Sequence, residues 1–418
     1  MPRIKPFKAV RYNTAKVKDI SSVVAPPYDV ISQKLQGELY RKDEHNFVKI
    51  ELNRIKASDD DSSNRYIRSR DLFASWLKDR IMISDDKDAL YIYALKYKRG
   101  TKAIEQVGFI GLMGLEPDGG NILPHENTLA APKEDRLKLT RAVKANLSPI
   151  FVLYEDKAHG LTQILKKFMS GNKPLIDMES DGVRHRLWNL EEKNSIKKIV
   201  DSMAHKDIFI ADGHHRYEVS RMYSREAGTD SSKYMMVYFV EMDERMLTVL
   251  PAHRILKDIG DLNEEEISKK LERFFYVEKA PALKALLARM SALSKEHAFG
   301  MYLGKDDYRL LRLKSVKDSD KAIKDKPAAW KRLDVSILHH FIIQRVLGVR
   351  DDDDNIEFLK SAQDSVDAVD SDEFKLAFFL NPTKVSEVKR IAGIGERMPR
   401  KATYFYPKPL SGLVINKF

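Results

Sequence analysis

The segment Ala211-Asp212-Gly213-His214-His215-Arg216-Tyr217 concentrates side chains that handle anions. A short apolar run, Ile208-Phe209-Ile210-Ala211, reads as a strand, and from His214 onward Val219, Met222 and Tyr223 recur on one helical face. Gly213 at the junction permits a tight turn in which amide N–H groups converge, and the helix start adds its positive dipole end. Arg216 offers a planar fork for phosphate oxygens, with His214 and His215 as further donors. Asp212 is the one carboxylate among them, suited to hold Mg2+ or to take a proton from a hydroxyl. The pattern predicts a phosphate-handling site that faces an open cleft. Zinc is disfavoured, since adjacent His side chains diverge by about 100° on a helix, no His follows at i+4, and the chain has no cysteine.

Four other segments carry usable chemistry. Pro124-His125-Glu126-Asn127-Thr128 pairs a His with a Glu beside a proline, which suits a general base, Glu126, with its orienting partner; an ordinary turn cluster reads the same way. Ala25-Pro26-Pro27-Tyr28-Asp29 is a rigid turn that would present Tyr28 and Asp29 reproducibly, and these two join His125 and Thr128 as candidate substrate contacts. A helix begins near Pro132, where Lys133 and Arg136 either face phosphate or pair with neighbouring acids. Residues 398–408 mix Arg400, Lys401, Thr403 and Lys408 with three aromatics, and could close a phosphate pocket or pack on a core.

The elements that must position these groups are legible in outline. Strands are expected near residues 89–95, 104–113, 148–154, 208–211 and 234–241, and helices near 60–80, 161–170 and 192–204. Gly108, Gly111 and Gly114 sit inside a strand-like run without dinucleotide spacing, so they mark bulges or close backbone approaches. Residues 117–121 form a loop rich in Asp and Gly, and residues 351–354 a short acidic run expected to be a solvated loop. Past residue 255 helices are expected at 264–275, 281–291 and 331–347, with strands near 298–303, 308–314 and 374–380. Strands and helices without regular alternation predict an α+β fold, divided into a core over 1–255 and a C-terminal region over 256–418 whose tail folds back.

Composition narrows the function classes. With 418 residues, 43% hydrophobic and 32% charged, the chain can bury large cores. The absence of cysteine removes thiolate catalysis and disulfides, and fits a reducing compartment. The N-terminus lacks the apolar stretch of a secretion signal and the longest apolar runs are strand-sized, so a cytoplasmic protein without a membrane partner is expected. The net charge of +11 is spread among interleaved acids, which suits small anionic substrates better than nucleic acid. No P-loop, kinase-type glycine loop or G-x-S-x-G elbow occurs, so phosphoryl transfer here would need another scaffold.

Six ordered segments, Pro26 to Asp29, Pro124 to Thr128, Pro132 to Arg136, Ala211 to Tyr217, Pro251 to Arg254 and Met398 to Lys408, resemble a family catalogued as domain of unknown function 1015. Ala252 and Ala402 depart from it by standing where a hydroxyl residue is expected. That family in turn looks like a branch of the ParB/sulfiredoxin-like superfamily, in which enzymes phosphorylating free L-serine carry a similar Asp-Gly-His-x-Arg segment and a glutamate base upstream. The resemblance implies an L-serine kinase using pyrophosphate or a nucleotide with Mg2+. His214, His215, Arg216 and Gly213 would hold donor phosphates, helped by Lys133, Arg136 and Lys401. Glu126 would be the base, with Asp212 binding Mg2+ or sharing that role. Two alternatives use the same motif: a ParB-like nucleotide-hydrolysing switch on DNA, and a regulatory module that binds a phosphate ligand without turnover.

Overall fold

The computed structural model describes residues 2–115, 120–349 and 355–418. Residues 117–119 of the expected Asp/Gly loop and the acidic run at 351–354 lie outside the described residues. The chain divides into two compact units. The first holds Met1–Pro124, Thr128–Thr248 and Pro407–Phe418; the second holds His125–Asn127 and Val249–Tyr406.

The first unit is built on a mixed sheet, nine-stranded among the described residues. Its strands are β1 (Ile4–Lys5), β2 (Leu90–Arg99), β3 (Lys102–Gly114), β4 (Ile122–Leu123), β5 (Ile150–Tyr154), β6 (Ile176–Ser180), β7 (Val183–Leu190), β8 (Ile208–Asp212) and β9 (Tyr234–Glu241). They lie in the order β4-β8-β5-β9-β3-β2-β7-β6, with β1 added antiparallel to β3. Two pairs, β4 with β8 and β5 with β9, are parallel. The central strands are apolar on both faces because both faces are covered: Leu90 through Leu95 are all fully buried. Leu90, Ile92 and Ala94 join Phe109, Val152 and Phe239 in one core. Helices reach that core through Leu161 and Leu165 of α3 (Gly160–Gly171), Ile199 and Met203 of α4 (Lys193–Met203), and Tyr217 of α5 (His214–Ala227). Two further elements bear on the site: α1 (Val48–Glu51) and α2 (Ala130–Val143).

Gly108 and Gly111 are close approaches, as their places in the sequence suggest. A Cβ on Gly108 would lie 2.2 Å from the Phe239 carbonyl oxygen and 2.7 Å from the Tyr238 ring. One on Gly111 would meet a Leu90 methyl at 2.8 Å. The β6–β7 hairpin was not expected. Its outer strand alternates Asp177 and Glu179 with partly covered residues, so the charges of a solvated edge hide the strand pattern.

The second unit is an antiparallel sheet, six-stranded among the described residues: β10 (His253–Leu256), β11 (Phe275–Ala280), β12 (Ala298–Tyr302), β13 (Tyr308–Leu313), β14 (Ile356–Leu359) and β15 (Leu376–Phe379), ordered β11-β13-β12-β15-β10-β14. Separate apolar clusters form around Phe299 and Phe378 and around Tyr302 and Phe379, neighbours along the strands whose side chains point to opposite faces. The helix expected over 331–347 is irregular: a turn at Asp334–Ser336 runs into a π-helix over Ile337–Leu347. The fold is a mixed α+β one, and no helix among the described residues is long and apolar enough to cross a membrane.

The tight seam at Gly108 generates a prediction. Gly108→Ala should destabilise the protein by about 2–3 kcal/mol, because the methyl must push two strands apart. Urea denaturation measures it, and an unchanged midpoint would mean that the seam has slack.

Candidate functional site

Asp212 ends β8 after a bulge that shifts its register against β5, where it stands opposite Phe151. Gly213 follows with φ +95°, a left-handed conformation, and α5 begins at His214. A Cβ on Gly213 would sit 2.7 Å from an Ile150 methyl and 3.1 Å from Arg216 Nε. Only glycine satisfies both the backbone and the space. The strand-glycine-helix junction is therefore formed as the sequence predicts.

The Asp212 carboxylate holds two cations. Arg216, one turn along α5, donates from Nη2 to one oxygen at 2.6 Å, and Lys408 Nζ donates to the other. Lys408 also lies 3.5 Å from Asp29. The tail that delivers Lys408 is fixed at several points. Pro407 and Pro409 flank it, Ser411 exchanges backbone hydrogen bonds with Ala25 at 2.8 and 3.2 Å, and Ile415 does so with Val10 at 2.9 Å. Gly412, at φ +90°, passes so close to the Phe47 ring that a Cβ would lie 2.8 Å from it.

From Arg216 the hydrogen bonds continue inward. Its Nη1 donates to the Pro149 carbonyl at 2.7 Å and to Ser148 Oγ at 3.1 Å, and Ser148 Oγ donates to Glu51 Oε1 at 2.8 Å. Glu51, at the end of α1, is 2% exposed. Burial pushes its carboxyl above the ordinary range, while Arg216, Ser148, Ser411 and Arg136 pull the other way. Arg216 Nε is buried and has no hydrogen-bond acceptor among the described residues. Glu51, Arg136, Ser148 and Arg216 line a cavity of about 50 Å³ with Thr140 and Ser220. That space suits a water or two and is far too small for a nucleotide.

The open cleft expected from the sequence is not what the structure has. The side chains of Asp212, Arg216 and Lys408 are 11%, 10% and 9% exposed, and His214 is 4% exposed. The physical reason is charge. Asp212 and Asp29 together balance the charges of Arg216 and Lys408, and the tail packs over them. Each Asp212 oxygen already carries a cation, so Asp212 would hold Mg2+ only after Lys408 or Arg216 lets go.

The other expected residues fall into two groups. In the first unit, His215 Nε2 accepts from the Leu129 amide at 3.0 Å, just before α2, so that nitrogen ties α2 to α5 and cannot also donate to phosphate. Arg136 is buried, with Nη1 on the Glu51 carbonyl at 2.7 Å, Nε on Asp135 at 2.7 Å, and its guanidinium 4.3 Å from the centre of the Tyr28 ring. The Tyr28 phenol is pushed up to about 12 by burial and by Asp29. Lys133 lies half-buried on the first turn of α2, and Thr128 precedes that helix. His125, Glu126 and Lys401 belong to the second unit. There His125 is fully buried with Nε2 3.1 Å from Thr403 Oγ1, and Lys401 is exposed at φ +51°. The first-unit network rests on Glu51 and Lys408. Glu51 escaped notice as one acid inside the apolar run Phe47-Val48-Lys49-Ile50-Glu51-Leu52; that mismatch was the available signal.

Glu51 makes the network sensitive to pH in a defined direction. A carboxyl raised by burial leaves the folded state relatively more stable below the ordinary glutamate value, and this advantage is lost as pH rises through the folded value. Glu51→Gln should therefore melt about 2–4 °C higher than the wild type at pH 8, with the gap shrinking towards pH 4. Thermal melts across that range measure it; a gap that widens on acidification would reverse the assignment.

Comparison with known proteins places the chain in a family. No curated protein matches the sequence. Among solved structures, a conserved hypothetical protein from Pyrococcus furiosus matches at 12% identity and a TM-score of 0.36, over 73% of this chain and 94% of that one. A free serine kinase in complex with AMP matches at 16% identity and a TM-score of 0.34, over 70% and 86%. SbnI with a C-terminal truncation, from Staphylococcus aureus, matches at 13% and 0.35, over 73% and 86%. These are distant likenesses. The family model described as "Protein of unknown function (DUF1015)" matches residues 4–336, and the chain belongs to that family.

Proposed function

We propose that the protein is a cytoplasmic phosphotransferase that moves a phosphoryl group from pyrophosphate or a nucleotide to the hydroxyl of free L-serine. The observation that carries this reading is the continuous network Lys408–Asp212–Arg216–Ser148–Glu51 at the start of α5. Asp212 sits between two cations, the position an anion would take. A phosphate of higher charge competes for the same cations and adds the N-terminal end of a 14-residue helix. As it binds, Lys408 leaves Asp212 and the network opens. Glu51, a carboxyl raised by burial, then serves as base for the acceptor hydroxyl in preference to Glu126. Tyr28, Asp29 and Thr128 stay assigned to the acceptor, and Lys133 and Arg136 to the field around the donor. Asp212, once released by Lys408, would be the residue to hold Mg2+, which would offset the charge of the transferred phosphoryl group. Pyrophosphate is the favoured donor because it asks only for phosphate contacts.

The closed, charge-paired network favours one rival, a phosphate-responsive binding module without turnover. Phosphorus NMR separates the two: protein, L-serine and Mg2+ with pyrophosphate, ATP or ADP in turn should yield O-phospho-L-serine. Arg216→Ala should lose about 2–5 kcal/mol of donor interaction, and Glu51→Gln should slow turnover roughly 10²–10⁴-fold while Glu126→Gln stays close to wild type. No phosphoserine with any donor removes the kinase reading; a silent Glu51→Gln with a crippled Glu126→Gln moves the base to Glu126.

A further inference from the structure

The opposite end of the same strands carries a second cluster of ligating groups. Asp212 stands across from Phe151 near the start of β5, whereas Glu241, the last residue of β9, pairs with Tyr154 at the end of β5. Glu241 is 1% exposed; its carboxylate accepts from Thr162 Oγ1 at 2.5 Å and meets Nδ1 of His159. Past the strand, Asp243 turns back through an N–H···O=C bond to Glu241 at 2.9 Å. One nitrogen of His159 and one carboxylate oxygen each of Glu241 and Asp243 lie within 4.8 Å of one another. Beside them the Tyr154 hydroxyl is fully buried and, among the described residues, has no hydrogen-bond partner of ordinary geometry.

The tautomer of His159 follows from its neighbours. Arg245 Nη2 is 3.0 Å from His159 Nε2, and a guanidinium has only donors, so Nε2 accepts. The ring proton then sits on Nδ1, between the imidazole and Glu241. Three donor atoms of the kind that bind metals thus converge on a position held by one proton. The imidazole is not needed to cap α3: His159 makes no side-chain capping bond, and Asp156 Oδ2 accepts from the Leu161 amide at 2.9 Å instead. Arg245 holds Asp243 below the usual carboxylate range, and its side chain is 74% exposed, free to swing into solvent. Asp156 and Lys206, 3.5 Å from each other, are further charges beside Tyr154.

We propose that His159, Glu241 and Asp243 form a binding site for a transition-metal dication, Zn2+ or Mn2+, at the end of the sheet opposite the Asp212 motif. One imidazole with two carboxylates suits such ions, whereas Mg2+ and Ca2+ prefer all-oxygen sets. The ion binds Nδ1 as Arg245 withdraws from Asp243 and from His159 Nε2, and the Nδ1 proton moves to Nε2, so the imidazole stays neutral.

Calorimetric titration of the chelator-stripped full-length protein with ZnCl2 at pH 7, in two buffers of different ionisation enthalpy, tests this. The expected result is one ion bound with no net proton released. His159→Asn, which tolerates the left-handed backbone at this position, and Asp243→Asn should each weaken binding roughly 10–100-fold or more, and Arg245→Ala should tighten it. Zinc affinity equal in wild type and both weakened variants, or binding with a full proton released, overturns the assignment.

Discussion

A single carboxylate holding two buried cations organises the first unit. Asp212 receives Arg216 from its own helix and Lys408 from nearly two hundred residues later in the chain. Such a cluster costs desolvation, which is recovered only while the charges remain paired. Removing any one member leaves the others uncompensated. The pairing therefore fixes the strand-to-helix junction and the path of the C-terminal tail together, and it stores two cations where a stronger anion could claim them.

The sheet makes this possible. Because both its faces are covered, the ends of its strands are where polar groups can gather without breaking a core. One end carries Asp212 and the Ser148–Glu51 relay, and the other carries Glu241 and His159. Gly213 and the bulge before it turn the chain so that Arg216 reaches back across Asp212 to Ser148. The tail closes the first end through strand-like pairing at Ala25 and Val10, which holds Lys408 by backbone geometry and not by its own side chain alone.

Much of this was readable from residue order. The apolar run before Asp212, the glycine and the helix after it form as the pattern requires, and Gly108 is a close approach because a strand-borne glycine seldom has another reason to be there. What stayed hidden depends on long-range contact. Prolines flank Lys408 and not Lys401, but nothing in the sequence says that the two fall in different units. Glu51 sits on a four-residue helix too short to show periodicity. His215 looks like a phosphate ligand in sequence, which does not show that the Leu129 amide takes one of its two ring nitrogens, Nε2. The open cleft failed for an electrostatic reason: the motif contains its own counter-ion, and the tail brings a second cation to it.

If Asp212 is the stand-in for a bound phosphate, neutralising it should free Arg216 and Lys408. Calorimetric titration with pyrophosphate in the absence of Mg2+ addresses this directly. Asp212→Asn should bind pyrophosphate at least about tenfold more tightly than the wild type, as expected when a competing anion is removed (1.4 kcal/mol per factor of ten). Equal or weaker binding by a folded Asp212→Asn variant would contradict the account, and would make the Asp212 cluster a structural tie and nothing more.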